Sequence, residues 1–527
     1  MEDPLIINSR IRAGDLVKFI KNPVAPPPYI IPKEKPLGIV IKIEVFTIGE
    51  ESDPQAYMEI VRVWWNIPSW IGPDGLSEEA HKTAALFLLM GIWLATEADP
   101  VAVTALVPLA LFPLLGIVDI QSAATPYANK TIYLFFGGFL IATAIQKWDL
   151  HKRIALVVLD FAGSNGASLV GGFMLTAALI SMWVMNTATT IMLLPIGLAV
   201  ITVVKDTVKD LSDKEVNNFQ LALLLGIAYG ATIGGMSTLI GTGPNGMLAA
   251  FMSDNYNLDI SFTDWMMVGV PLSVTMLPIS WLILTRVIFP ISFESSPETK
   301  KLLADLRVEL GEFQGPEVKV FYVFLFTALA WMFRTILDDL PGLGYLSDAG
   351  IAMISALILF LLPSGKSKKG VLLEWKDAQE NVPWGLLVLF GGGLSLANAV
   401  QSSGLAVWLG SLIPGGISTV LIIVLVVALI IFLTELTSNM ATTATFMPVV
   451  AAIAIQSSFD PLLVTAAVAI AASCAFILPF ATPPNAIVFG SGLIKVPQMA
   501  RAGFLLNLIG VLLVSLVAVF LVPFFLL

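Results

Sequence analysis

The chain has 527 residues, of which 57% are hydrophobic and 13% charged, with a net charge of −10. Soluble domains carry about 25% charged residues, so this balance excludes an ordinary soluble protein, and its acidic sign excludes a polybasic nucleic-acid binder. A single cysteine, Cys474, excludes an intrachain disulfide and any cysteine-based metal site.

Residues 1–82 read differently from the remainder. Apolar and polar residues alternate over 14–19, 37–46 and 56–65, which predicts half-buried strands. A proline-rich turn, Pro23-Val24-Ala25-Pro26-Pro27-Pro28, lies between the first two. The expectation is a small β-rich appendage of SH3-like type; a disordered tail is the competing reading. The basic start and apolar core of a secretion signal are both lacking here.

From Thr83 onward, apolar runs near the bilayer-spanning length of about 20 residues recur to the end, which predicts an all-α polytopic membrane protein. Spans are expected at 83–97, 101–118 and 131–147, followed by an amphipathic connector at 148–163. A hairpin-like block (168–203), a broken span (219–253) and a full span (265–290) complete the first half, 83–290. A charged cytoplasmic linker covers 291–317. The second half, 318–527, repeats the order: spans at 318–338, 348–363 and 383–401, a connector, a hairpin block (418–456), a broken span (461–492) and a last span (502–526).

Three blocks match between the halves in one order, which marks an internal duplication. Gly137-Gly138-Phe139-Leu140-Ile141-Ala142 matches Gly392-Gly393-Leu394-Ser395-Leu396-Ala397. Met185-Asn186-Thr187-Ala188-Thr189-Thr190 matches Ser438-Asn439-Met440-Ala441-Thr442-Thr443, with Pro195 and Pro448 following at the same distance. Gly241-Thr242-Gly243-Pro244-Asn245 matches Ala481-Thr482-Pro483-Pro484-Asn485. If each asparagine block tips a re-entrant hairpin, an odd number of crossings separates the two tips, and the repeats are inverted. Lys205, Lys209, Lys214, Lys300, Lys301, Arg307, Lys366, Lys368 and Lys369 then share one face, while loops 254–263 and 402–417 on the other contain no Lys or Arg. By the positive-inside rule the first hairpin enters from the cytoplasm and the second from outside. The same count places residues 1–82 outside.

Polar side chains at membrane depth are costly, so a duplicated cluster marks a binding site. At each tip one half-helix ends, offering carbonyls to a cation, and another begins, offering N–H groups to an anion. Asn186, Thr187 and Asn439 are expected to cap the hairpin arms and bind ligand together; capping alone is the competing reading. The Gly/Pro breaks free backbone carbonyls that must be buried in protein or line a cavity. Glu435 and Glu97 are the acids nearest the apolar runs; Glu435 either holds a cation or proton or is a hydrogen-bonded structural carboxylate. Met192, Met236 and Met447 are expected to pack. His81 and His151 are expected to be interfacial polar residues rather than ligands.

Ser181-Met182-Trp183-Val184-Met185-Asn186-Thr187, Thr434-Glu435-Leu436-Thr437-Ser438-Asn439 and Leu478-Pro479-Phe480-Ala481-Thr482-Pro483-Pro484-Asn485 resemble the divalent anion:sodium symporter family, from about Pro73 to the C-terminus. Trp148-Asp149-Leu150-His151-Lys152-Arg153 resembles its interfacial connector. The resemblance implies a homodimer with a fixed scaffold and a transport part moving as an elevator. It implies a first sodium site at Ser181, Asn186 and backbone near Gly241, and a second at Thr434, Thr437, Asn439 and backbone near Ala481. The anion would lie between the tips, against Asn186, Thr187, Thr242, Asn439, Met440, Thr482 and Pro483. The family's tip motif is Ser-Asn-Thr in both halves. Here Met185 and Met440 each replace a hydroxyl, Gly243 stands where the pattern has proline, and the family's first transmembrane helix is missing.

The expected function is sodium-coupled symport of small divalent anions, C4-dicarboxylates such as succinate first, in a plasma or inner membrane. The alternative is a sodium-independent exchanger, an arsenite- or proton-coupled relative, or a sulfate or citrate carrier of the same fold. Sodium is the co-transported ion, and no organic cofactor is implied. No Ser/His pair, Asp/Asp pair or metal-ligand cluster falls in the apolar runs, which argues against an intramembrane enzyme.

Overall fold

The computed structural model of the chain describes residues 40–48, 58–66, 76–96, 98–161, 165–208, 211–294, 296–313, 315–365, 370–411 and 417–527. Strands β1 (Val40–Ile48) and β2 (Met58–Asn66) pair antiparallel, with Val40 opposite Asn66 and Ile48 opposite Met58. They overlap two of the three expected strands. The strand expected at 14–19, the proline-rich turn and Glu97 lie outside the described residues.

The first half comprises α1 (Glu78–Thr96), α2 (Val101–Thr104), α3 (Val107–Leu114), α4 (Ile120–Ala124), α5 (Lys130–Lys147), α6 (Leu150–Asp160), α7 (Gly166–Ser181), α8 (Asn186–Thr207), α9 (Asp213–Gly235), α10 (Gly243–Tyr256) and α11 (Phe262–Leu282). Helix α12 (Pro297–Glu309) lies in the linker. The second half comprises α13 (Pro316–Met332), α14 (Arg334–Asp338), α15 (Asp348–Leu361), α16 (Trp375–Asn381), α17 (Trp384–Ser402), α18 (Leu405–Ser411), α19 (Thr419–Leu433), α20 (Asn439–Gln456), α21 (Pro461–Ser473), α22 (Pro483–Phe489), α23 (Val496–Leu516) and α24 (Val522–Phe525). Both α11 and α23 run into π-helical turns, at Ile283–Ile288 and Val517–Leu521.

Helix starts follow the local chemistry. Asn165 caps α7 through Ser168 N, Ser418 caps α19 through Leu421 N, and Ser212 and Ser261 form reciprocal capping boxes with Glu215 and Asp264. Arms α7 and α19, at 16 and 15 residues, are shorter than the roughly 20 that cross a bilayer. Each is followed, after a short turn, by α8 or α20.

Small residues set the core. Gly226, Gly230 and Gly234 recur every fourth residue along the α9 face that meets α7. A methyl on Gly230 would stand 2.6 Å from the Met174 carbonyl oxygen, so the two backbones touch, as small-residue stripes allow in membranes. The alanines of α21, among them Ala466, Ala467, Ala469 and Ala471, are fully buried. Met192, Met236 and Met447 are buried packing residues, as expected.

Equivalent residues of the halves make equivalent contacts. A Cβ on Gly137 of α5 would meet Ala352 Cβ of α15 at 2.6 Å, and one on Gly392 of α17 would meet Ala105 Cα after α2 at 2.7 Å. A further equivalence is crossed: α8 packs on α22 of the other half, and α20 packs on α10.

Several expectations need correction. The span expected at 101–118 folds as α2 and α3, because Pro108 has no N–H for the Thr104 carbonyl. The Tyr127 hydroxyl takes up the Ala105 carbonyl at the same break. The span expected at 318–338 turns at Phe333 into the short α14. The linker carries α12, started by Pro297 and seated on α6 and α8 by buried Thr299 and Leu303. His151, expected at an interface, is 7% exposed, and its Nδ1–H donates to the Ile145 carbonyl at 3.2 Å.

Candidate functional site

The first tip is a short turn between α7 and α8. Ser181 ends α7, fully buried, and its hydroxyl donates to Asn186 Oδ1 at 2.6 Å. Asn186 is the first residue of α8, not its cap; Met185 holds the cap position and makes no side-chain bond. Thr190 Oγ1–H donates back to the Asn186 carbonyl at 2.9 Å, which fixes the start of the helix. Thr187 is half-buried beside it.

The first break, 236–242, is folded around this tip. A Cβ on Gly235 would lie 2.5 Å from Asn186 Oδ1 and 3.0 Å from the Gly241 carbonyl oxygen, so glycine leaves room for both oxygens to converge. Thr238 joins tip to break, donating to the Met182 carbonyl at 2.5 Å and accepting from Gly241 N at 3.1 Å. Asn245 Nδ2 donates to the carbonyls of Gly235, Met236 and Thr238 at 3.4, 3.3 and 2.8 Å. Thr242 caps α10 without a side-chain bond.

The second tip and break repeat this construction. Thr434 Oγ1–H, equivalent to the Ser181 hydroxyl, lies 3.1 Å from Asn439 Oδ1 and 2.9 Å from the Ala472 carbonyl oxygen. Asn439 is again the first helical residue, but here Ser438 caps α20 by accepting from Ala441 N at 3.2 Å. Thr443 Oγ1–H donates to the Asn439 carbonyl at 2.8 Å. Asn485 Nδ2 donates to the carbonyls of Ala475 and Leu478 at 3.2 and 3.1 Å. Thr482 caps α22, Ala481 is buried before it, and Pro483 is exposed. The Thr437 hydroxyl is engaged elsewhere, 2.6 Å from Thr442 Oγ1 and 3.2 Å from the Leu433 carbonyl oxygen.

Glu435 has the role of an anchor. Its carboxylate accepts from the backbone N–H groups of Phe476, Ile477 and Leu478 at 2.7, 2.9 and 2.9 Å, and from Asn507 Nδ2 at 2.7 Å. A buried carboxylate with its oxygens so engaged is the structural alternative of the sequence reading, and it holds the second break open as an irregular segment.

Segments 181–190, 235–246, 434–443 and 472–486 contain no Lys, Arg or His, and Glu435 is their one charge. No group of three His, Cys, Asp or Glu suited to a metal occurs among the described residues. The arrangement therefore offers neutral oxygens and helix starts: a chemistry for an alkali cation and an anion, with neither a nucleophile–base pair nor a transition-metal ligand set.

Sequence reading missed several of these parts. Asn245 and Asn485 end the matched break blocks, and their equal spacing was the available signal. Gly235 gave only the signal of a Gly-Gly pair. The Ala472 carbonyl gave none.

Apolar helices interrupted at paired tips and breaks define a multi-pass membrane transporter rather than an enzyme. The transmembrane region of the sodium:sulfate symporters matches residues 55–527, and the chain belongs to that family, the divalent anion:sodium symporters. The sodium-dependent dicarboxylate transporter SdcS of Staphylococcus saprophyticus is 37% identical over 456 residues, 86% of this chain and 88% of its own length. The SdcS of Staphylococcus aureus strain bovine RF122 is 38% identical over the same shares. In fold alone, the chain is similar to the crystal structure of the Alcanivorax borkumensis YdaH transporter, with a TM-score of 0.52 at 14% identity, covering 85% of this chain and 99% of the other.

Proposed function

We propose that this chain is a sodium-coupled symporter of small divalent anions, with C4-dicarboxylates such as succinate as its substrates. The observation that carries the reading is the hydroxyl–asparagine oxygen pair built twice at equal spacing, Ser181 with Asn186 and Thr434 with Asn439. Rotating the Ser181 proton away leaves both oxygens free for a sodium ion beside the Gly241 carbonyl. Thr434, Asn439, the Thr437 segment and backbone near Ala481 form the second sodium site.

The absence of basic residues explains the coupling. A dianion buried without Lys or Arg, near Glu435, would lack a counter-charge, and burying an unpaired charge is prohibitive. Bound sodium supplies that charge. The anion then sits between the tips, held by Asn186, Thr187, Asn439 and Thr482, with Thr242, Met440 and Pro483 around it, at the starts of α8, α10 and α20. The repeats are inverted, so each face of the membrane reaches the site by way of one hairpin. The site-bearing part moves as an elevator against a fixed scaffold in a homodimer. The SdcS relatives, whose name records sodium-dependent dicarboxylate transport, support both cation and substrate class.

Thermal stability of purified protein against a panel of succinate, citrate and sulfate, each in sodium or potassium, tests the reading. Ligand at 100 times its dissociation constant stabilises by about 2.7 kcal/mol. A shift with succinate in sodium alone is expected; equal shifts in potassium contradict the coupling.

Met185 favours one second reading, a sodium-independent exchanger. It caps α8 with no side-chain oxygen where Ser438 provides one at the other tip. Counter-flow of dicarboxylate indifferent to sodium supports exchange; counter-flow lost without sodium rejects it.

A further inference from the structure

Met440 is the second residue of α20, and its thioether crosses from the second tip to the first break. A Cβ built on Gly243 would collide with Met440 Sδ and stand 3.1 Å from its Cγ and 3.5 Å from its Cε. Gly243 is the first residue of α10, so the thioether lies over the start of that helix, where unpaired N–H groups meet an anion. Met440 is also pinned from behind, packed on the cluster of Leu94, Ala105, Leu389 and Ala441.

We infer that Met440, seated on Gly243, sets the girth of the anion, admitting unbranched dicarboxylates and excluding tricarboxylates. This rests on the anion lying between the tips. A thioether donates no hydrogen bond, so this wall offers a carboxylate nothing. The start of α22 differs: Thr482 places a hydroxyl there, and Pro483 is exposed. A slender dicarboxylate can turn both ends to donors. A third carboxylate must either displace the pinned side chain or be buried against sulfur without a partner, which is heavily disfavoured. The residues form a matched pair, because a side chain at position 243 and the thioether claim the same space.

Competition in proteoliposomes tests the inference, with labelled succinate as the transported probe and unlabelled citrate as competitor. In the wild type citrate competes weakly. In Met440→Ala it competes at least about tenfold better relative to unlabelled succinate, the scale on which pocket walls discriminate. Gly243→Ala loses succinate uptake, and Gly243→Ala combined with Met440→Ala regains it; melting temperatures separate loss of transport from loss of fold. Unchanged citrate competition in Met440→Ala overturns the inference on its own, as does a double variant no better than Gly243→Ala. A wild type that carries no dianion overturns the proposed function along with it.

Discussion

Ser181 and Thr434 each point a hydroxyl at the asparagine that opens the next helix, and Ser438 caps where Met185 cannot. Ser181→Ala removes one neutral oxygen from the proposed first sodium site. It is expected to raise the sodium half-saturation of uptake about tenfold, in line with a loss of about 1–1.5 kcal/mol, while the succinate KM at saturating sodium changes less. Met185→Ser supplies a helix cap worth about 1 kcal/mol and, in the proposed first sodium site, one more neutral oxygen. A higher melting temperature and a lower sodium half-saturation check it. Glu435→Gln leaves backbone donors facing an amide and is expected to cost about 1.5–3 kcal/mol of stability, with the pH profile of transport unchanged; a displaced profile in folded protein marks a proton carrier instead. The asparagines and hydroxyls of the tips were legible because they are polar residues repeated within apolar runs. The Glu435 anchor was legible only as a pair of alternatives, since its partners lie at 476–478 and 507 and nothing local announces them.

Among elements, the tips and breaks were readable because a polar cluster or a Gly/Pro pair interrupts an apolar run at the same place in both halves. The division of 101–118 into α2 and α3 was not read, because hydropathy is blind to the one N–H that Pro108 lacks. Helix α12 was hidden by its charges: buried Thr299 and Leu303, with Leu302 and Leu306 packed beside them, seat it, and Arg307 reaches back to Asp160 of α6. Helix α6 gives a pH prediction. Burial of His151, more than any neighbouring charge, lowers its pKa below the usual histidine value of 6.5. The unfolded chain therefore binds a proton that the folded chain refuses, so stability is greatest above that value and falls as pH drops below it. Melting temperature should fall more steeply between about pH 7 and pH 5 in the wild type than in His151→Gln. Parallel falls contradict this role.

For the whole molecule, the duplication that the sequence displays reappears as hydrogen bonds of equal span, from Asn245 to Thr238 and from Asn485 to Leu478. How the helices pair was not legible. The contact of Gly137 with Ala352 and that of Gly392 with Ala105 join segments that no local pattern connects. In the proposed elevator, the tip-one aromatic Trp183 is a reporter, stacked with ring centroids 5.8 Å from Phe262 and 6.4 Å from Trp331 of α13. In the proposed mechanism sodium supplies the charge with which a site lacking basic residues holds a dianion. Uptake of labelled succinate into proteoliposomes, under an inward sodium gradient and under an equal potassium gradient, tests this mechanism. Accumulation above equilibrium with sodium, and none with potassium, is the predicted result; equal uptake under both, or none under either, contradicts the account.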